Sequence, residues 1–202
     1  MRRSALLLAL VAFPALAGAQ KFTQAGSIKL AAPVSLDTTG MFQAAFVSVG
    51  DDIFIGGQPT EKALREMKAR GVTTVVNLRT PEEMTKAVKF DEPALIASLG
   101  MKYVYIPMRG TAEFPYSPDA VDKFAKAVSS ANGKVLLHCT IAWRASHLWA
   151  AYLIRERGVA VDDALANARA INLMDQMRMG VNGRQPVEEF LNRDLPTVGH
   201  PK

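Results

Sequence analysis

The stretch that most narrows what this chain can fold into is GKVLLHCTIAWRASHLWAAYL, residues 133–153. Its apolar run KVLLH reads as a buried strand, and a helical run begins almost at once, around Arg144. A strand that feeds directly into a helix is half of a parallel crossover unit. In open sheets built from such units, ligands sit beyond the carboxyl ends of the strands. The sequence places its single cysteine at that edge: Cys139 follows His138 and precedes Arg144 by five positions.

The surrounding sequence has the same rhythm. FVSVGDDIFIGGQP, from Phe46, gives two short apolar runs around Gly50-Asp51-Asp52 and predicts a hairpin. Thr60 then caps a helix whose apolar face is Ala63, Leu64 and Met67 and which stops at Gly71. VTTVVNLR is a strand, and TPEEMTKAVKFDEPALIASLG is helical in two pieces, interrupted at Pro93. MKYVYIP is the next strand, followed by a helix with Ser117 as its cap, Pro118 at its first position and Asp119 in its first turn. DDALANARAINL and QPVEEFLNRD read as further short helices. The fold class predicted is α/β, with a mostly parallel central sheet flanked by helices and an opening β-hairpin.

The ends read differently. Residues 1–19 carry Arg2 and Arg3, an apolar run from Ala5 to Ala17 and the small-residue pattern Ala17-Gly18-Ala19, the pattern of a secretory signal peptide. This predicts a periplasmic or secreted protein with no stable membrane span after cleavage. Residues 20–44 lack a sustained period and are expected to be a linker or loosely docked arm. The α/β domain is expected over 45–179, with a C-terminal helix and tail over 180–202. Removing the leader takes away two arginines and lowers the formal charge from +5 to +3. Lys and Arg are scattered, with no basic aromatic stripe, which argues against a nucleic-acid partner. A mild positive balance suits a small anionic or phosphorylated substrate.

One cysteine cannot make an internal disulfide, and His138, His147 and His200 have no metal-ligand spacing with it. No metal or other cofactor is expected. The four residues between Cys139 and Arg144 are Thr140, Ile141, Ala142 and Trp143, the right length to curl into a shallow cup. Backbone N–H groups there, with a helix N-terminus behind them, would point at a bound anion. The same groups and the Arg144 guanidinium favour thiolate over thiol. A thiolate beneath an anion cradle, with a bidentate arginine clamp, can attack a phosphorus or sulfur centre. The His138 ring is expected to bond loop backbone. Asn77 and Arg79 end a neighbouring strand and can face the same cleft; for Arg79, an ion pair with Glu82 or Glu83 is an equal explanation.

HCTIAWRAS resembles the His-Cys…Arg loop of cysteine-dependent protein phosphatases. VSVGDDIFIGGQPTEKALREMKARGVTTVVNLRTPEE, then GMKYVYIPM, the Ser117 helix and VLLHC narrow the likeness to a bacterial dual-specificity-phosphatase-like group, that of the beta-lactamase-hydrolase-like phosphatase domains. The resemblance spans about residues 46–170. It implies a phosphatase-like fold, with Cys139 as nucleophile and Arg144 as the group that binds phosphate and stabilises the transition state. His138 would support the loop, and the backbone of Thr140, Ile141, Ala142, Trp143 and Arg144 would cradle the oxygens. In related phosphatases an Asp after the strand corresponding to MKYVYIP is the general acid. Here the first acid in that loop is Glu113, while Asp119 is better explained as a helix charge.

Three departures shape the functional expectation. The loop has four residues between Cys and Arg where phosphatases at large have five. Ala142 stands where Gly is usual; if the position needs positive φ, alanine costs roughly 1–2 kcal/mol. Ala145 replaces the usual hydroxyl residue, leaving Ser146 one place late. The main expectation is an exported phosphomonoester hydrolase acting through a phosphocysteine, with protein phosphotyrosine or phosphoserine among its candidate substrates. The alternatives are a non-catalytic anion- or protein-binding pseudophosphatase and a rhodanese-like sulfurtransferase carrying a persulfide on Cys139.

Overall fold

The structure, a computed structural model, describes residues 30–37, 39–173 and 184–195. The expected signal peptide (1–19), the start of the arm, the predicted boundary at 179 and the end of the tail lie outside the described residues. In chain order the strands are β1 (Pro33–Ser35), β2 (Phe46–Val49), β3 (Ile53–Gly56), β4 (Val72–Asn77), β5 (Lys102–Tyr105) and β6 (Lys134–His138). The helices are α1 (Glu61–Ala69), α2 (Pro81–Ala87), α3 (Glu92–Ser98), α4 (Pro118–Ser129), α5 (Trp143–Glu156), α6 (Val161–Arg169) and α7 (Gln185–Leu191).

One sheet of order β1-β2-β3-β6-β4-β5 carries them all. β1 and β2, and β2 and β3, pair antiparallel; β3, β6, β4 and β5 run parallel. The fold is therefore α/β with a mixed, mostly parallel sheet opened by a hairpin. β6 lies centrally, buried by helices on both faces, which is why KVLLH shows no polar alternation. One face packs Ile55, Val76, Leu137 and Phe124 with the apolar side of α5, while the other packs Phe54, Val75 and Leu136 with Leu64 and Met67 of α1. The register levels the strand ends: Gly56, His138, Asn77 and Tyr105 stand side by side across four strands. Whatever follows them shares one edge of the sheet.

Several expectations are corrected in detail. The break in the 80–100 segment falls before Asp91, because Pro93 needs no N–H in the first turn of α3, where Asp91 accepts from the Ala94 N–H. Within the 20–44 segment, read as a linker or loosely docked arm, β1 pairs with β2 and Phe42 stacks on Phe46 at 3.9 Å. The last helix belongs to the same core, with Val187 and Phe190 of α7 buried in the cluster that holds α5. Ser117 occupies the cap of α4 without a side-chain capping bond, whereas Thr60 does accept from the Ala63 N–H.

Candidate active site

The loop after β6 is held from both flanks. Cys139 donates its N–H to the Gly56 carbonyl at 3.3 Å, and the Thr140 carbonyl accepts from the Gln58 N–H at 2.9 Å. Gly57 bridges to Ile141. A Cβ on Gly57 would lie 1.6 Å from the Gln43 carbonyl oxygen and 2.8 Å from that of Thr140, so only glycine lets the three segments cross here. On the far side, the Asn172 side-chain amide donates to the Ile141 carbonyl. The chain then turns through Ala142 at φ 67°, ψ −1°, the left-handed conformation considered from the missing glycine. α5 starts immediately afterwards, one residue earlier than expected, with its first bond from the Ser146 N–H to the Ala142 carbonyl at 2.9 Å.

Arg144, in the first turn of α5, points back under this loop and is buried. Its Nη1 and Nη2 donate to the two carboxylate oxygens of Glu83, each at 2.8 Å. Nη1 also reaches the Met108 carbonyl at 2.7 Å, and Nη2 the Thr140 hydroxyl at 3.0 Å. The Thr140 hydroxyl in turn donates to Glu83 at 3.2 Å. Glu83 is itself part of a capping box on α2: Thr80 accepts from the Glu83 N–H, and the Glu83 carboxylate accepts from the Thr80 N–H. Burial would push the Glu83 carboxyl up, but the Arg144 hydrogen bonds, the Thr80 N–H and the charges of Arg144 and Arg79 outweigh it and hold the group at about 2. For Arg144, burial opposes the charge, and the Glu83 bond and the Cys139 and Glu83 charges override it.

Behind the loop lies a second polar cluster. The His138 Nε2 bonds the Glu92 carboxylate at 3.1 Å, and both side chains are fully buried. Asn77 and Gln58 donate to the same carboxylate at 2.9 and 2.6 Å. Gln58 Oε1 accepts from Arg79 Nη1 at 2.7 Å, and Arg79 Nη2 donates to the Glu83 backbone carbonyl at 3.2 Å. The His138 ring thus faces a carboxylate, not the loop backbone expected for it. Arg79 meets Glu83 through the peptide, while the Glu83 carboxylate belongs to Arg144.

The structure brings Cys139, Thr140, Ala142 and Arg144 together, with His138 directly behind them. Cys139 is 1% exposed, deeper than the cleft edge anticipated for it, while Ile141 is 37% exposed. The Trp143 ring packs against His147 at 4.3 Å, and the Ser146 hydroxyl donates to the Trp143 carbonyl, so Ser146 serves its own helix rather than a ligand. Glu113 is exposed on the loop after β5, and among the described residues no hydrogen bond or ion pair ties it to Cys139 or Arg144. Asp119 pairs with Lys123 at 2.7 Å on the surface of α4, as a helix charge does. From the same loop as Glu113, Tyr116 feels the charges of Arg144 and Cys139, and burial first of all raises its phenol to about 12. Among the described residues no cluster of His, Cys, Asp and Glu is suited to hold a metal ion.

Sequence reasoning missed Glu83 as the partner of Arg144 and did not consider Glu92. The first had a signal, the Thr80-x-x-Glu83 capping-box spacing, which fixes where that side chain begins. The second had none, because an acid ahead of a proline reads as an exposed first-turn charge.

Residues 44–182 match the family described as "DSP-PTPase phosphatase fused to NAD+ Kinase". The chain belongs to this family. Among curated proteins, a "Beta-lactamase hydrolase-like protein" of Xylella fastidiosa is 27% identical over 130 residues, 63% of this chain and 30% of that protein. This chain thus spans about a third of the length of that relative. Among solved structures, a candidate phosphatase from Shewanella putrefaciens superposes with a TM-score of 0.57 at 22% identity, covering 76% of this chain and 92% of that one. P. aeruginosa TpbA gives 0.54 at 16%, covering 81% and 91%. A cysteine-to-serine form of TpbA in complex with phosphotyrosine gives 0.51 at 14%, covering 80% and 97%. These likenesses establish that the fold is shared with those structures.

Proposed function

We propose that this chain is a phosphomonoester hydrolase that works through a phosphocysteine on Cys139. The observation that carries the reading is the Arg144 guanidinium, fixed end-on by Glu83 beneath the loop that starts at Cys139. Glu83 takes the Nη1–Nη2 edge and the Thr140 hydroxyl also accepts from Nη2, so a phosphate would meet the guanidinium at Nε and take the place of the Thr140 hydroxyl on Nη2. The Cys139 sulfur attacks phosphorus, the bond to the leaving oxygen breaks, and Arg144 and the loop amides stabilise the charge on the equatorial oxygens. Water then cleaves the phosphocysteine, releasing phosphate and restoring the thiolate. Glu113 is the candidate to protonate the leaving oxygen, which requires its loop to fold over the cup. The phosphotyrosine complex of TpbA supports an aryl phosphate as substrate, and the leader-like N-terminus supports action in the periplasm or outside the cell.

A second reading, a non-catalytic anion-binding module, is favoured by the near-complete burial of Cys139. One assay separates the two. With an aryl phosphate, the native chain is expected to turn over, and Cys139→Ser and Arg144→Ala are expected to lose at least about a hundredfold in kcat/KM. No hydrolysis by the native chain, with phosphate or sulfate still raising its Tm, would establish the binding module instead. Thiocyanate formation from thiosulfate and cyanide would point to sulfur transfer.

A further inference from the structure

Between β3 and α1 the chain leaves the sheet, so the backbone polar groups of residues 57–60 need partners from elsewhere. The arm supplies them. Gly57 donates its N–H to the Ala45 carbonyl at 2.9 Å, the Gln58 carbonyl accepts from the Gln43 N–H at 3.0 Å, and Thr60 donates its N–H to the Met41 carbonyl at 2.8 Å. Phe42 bridges to Pro59, and its buried ring lies 3.1 Å from where a Cβ on Gly56 would stand. Residues 41–43 lie ahead of the stretch 44–182 that matches the family.

The other side of the same crossing carries the cysteine loop. The Gly56 carbonyl accepts from the Cys139 N–H, and the Gln58 N–H donates to the Thr140 carbonyl. Gln58 is therefore bonded through its carbonyl to the arm and through its N–H to the loop. Gly57 lies between the Gln43 and Thr140 carbonyls with no room for a methyl. In a contact packed this closely, a shift of one outer layer is passed to the other rather than absorbed. The arm is also fixed further upstream. The Asn167 side chain accepts from the Trp149 indole at 2.9 Å and donates to the Ala31 carbonyl at 2.9 Å.

We infer that residues 41–45 position the cysteine loop: docked, they hold the 56–60 crossing against Cys139 and Thr140, and their release lets the loop open. The effect on turnover rests on the phosphatase reading; the effect on the loop does not.

The test removes one bond of the arm in the full chain. Gln43→Pro deletes the N–H that the Gln58 carbonyl accepts. The Gln43 side chain is exposed, and Phe42, bridged to Pro59 as a strand residue would be, suits the position before a proline. Cys139 is 1% exposed, so iodoacetamide reaches it only when the loop opens. Rates are read at about pH 9, where an ordinary thiol is largely ionised and access rather than charge limits them. Gln43→Pro is expected to be alkylated about tenfold faster than the native chain. Phe124→Leu, in the core on the opposite face of the sheet from Phe42, lowers stability away from the arm and is expected to stay within about twofold of native. No acceleration in Gln43→Pro, or the same acceleration in Phe124→Leu, would overturn the inference. With an aryl phosphate, kcat/KM of Gln43→Pro is expected to fall about tenfold, and an unchanged value would overturn the effect on turnover. If the native chain hydrolyses nothing, the phosphatase reading falls and the alkylation rates still decide the role of the arm. If Gln43→Pro does not fold, hydrogen exchange of the native chain supplies the answer. Equal protection of the Gln43, Gly57 and Gln58 amides supports one cooperative unit, and a Gln43 amide exchanging about a hundredfold faster than that of Gln58 overturns it.

Discussion

At the scale of single residues, Ala142 is the clearest conflict between sequence and backbone. Its φ of 67° costs a non-glycine residue about 1–2 kcal/mol. Two effects offset that strain. The methyl is fully buried, which contributes about 0.8 kcal/mol, and alanine leaves the unfolded chain stiffer than glycine would, a further 0.4–1 kcal/mol or about that. Ala142→Gly should therefore change the free energy of unfolding by less than about 1 kcal/mol. Ala142→Val, branched at Cβ in a fully buried left-handed turn, should cost about 2 kcal/mol or more. Urea denaturation of the two variants checks both values. The absence of glycine was visible in the sequence, but the size of its effect depended on what surrounds the methyl.

At the scale of elements, each piece delivers one group to the shared edge of the sheet. α2 begins with a capping box, and the same Glu83 that closes the box reaches Arg144. α3 carries Glu92 to His138, and the β3-to-α1 crossing brings Gln58 under the loop. That crossing is the tightest point, since a methyl on Gly57 would collide with backbone of two other segments. Gly57→Ala should cost about 3 kcal/mol or more, measured by chemical denaturation, and should abolish any phosphate-induced rise in Tm, because relieving the collision displaces Thr140. α7 is a test of domain extent. Phe190 is fully buried and packs on Tyr116 at 5.1 Å, so Phe190→Ala should lower stability by about 3–5 kcal/mol in a single unfolding transition. A separate early transition would make α7 an appendage. Strands β2 to β6 and most helices were legible from their periods and caps. The docking of the 30–44 arm and of α7 was not, because their few apolar residues make no period of their own and acquire meaning only against Phe46 or Phe124 and Tyr116.

At the scale of the whole molecule, two carboxylates, half-buried Glu83 and buried Glu92, link stability to pH with the same sign. The Glu83 carboxyl is held at about 2, against an ordinary 4.5, and Glu92 is also held low. Each group contributes stability that is complete above its ordinary range and is lost as pH falls toward its lowered one. Tm should therefore stay nearly level from about pH 7 to about pH 5 and fall below about pH 4.5. Glu83→Gln should be less stable at neutral pH by about 2 kcal/mol, because a buried guanidinium loses its charged partner. The gap between variant and native chain should then shrink as acid neutralises Glu83 in the native chain. Thermal scans across that pH range test both statements. A gap that stays constant would show that Glu83 acts by shape rather than by charge.

What the sequence alone determined was local: an alternation of strands and helices, a cysteine and an arginine bracketing the turn from β6 into α5, and the family likeness those residues carry. Periodicity and spacing act over a few residues, so they survive without coordinates. What only the tertiary structure decided was the partnership of charges. Glu83 lies 61 residues from Arg144, and Glu92 lies 46 from His138. An exposed acid and a buried one look alike in sequence; the level ends of four parallel strands, and the burial that comes with them, are what bring these charges together at one edge.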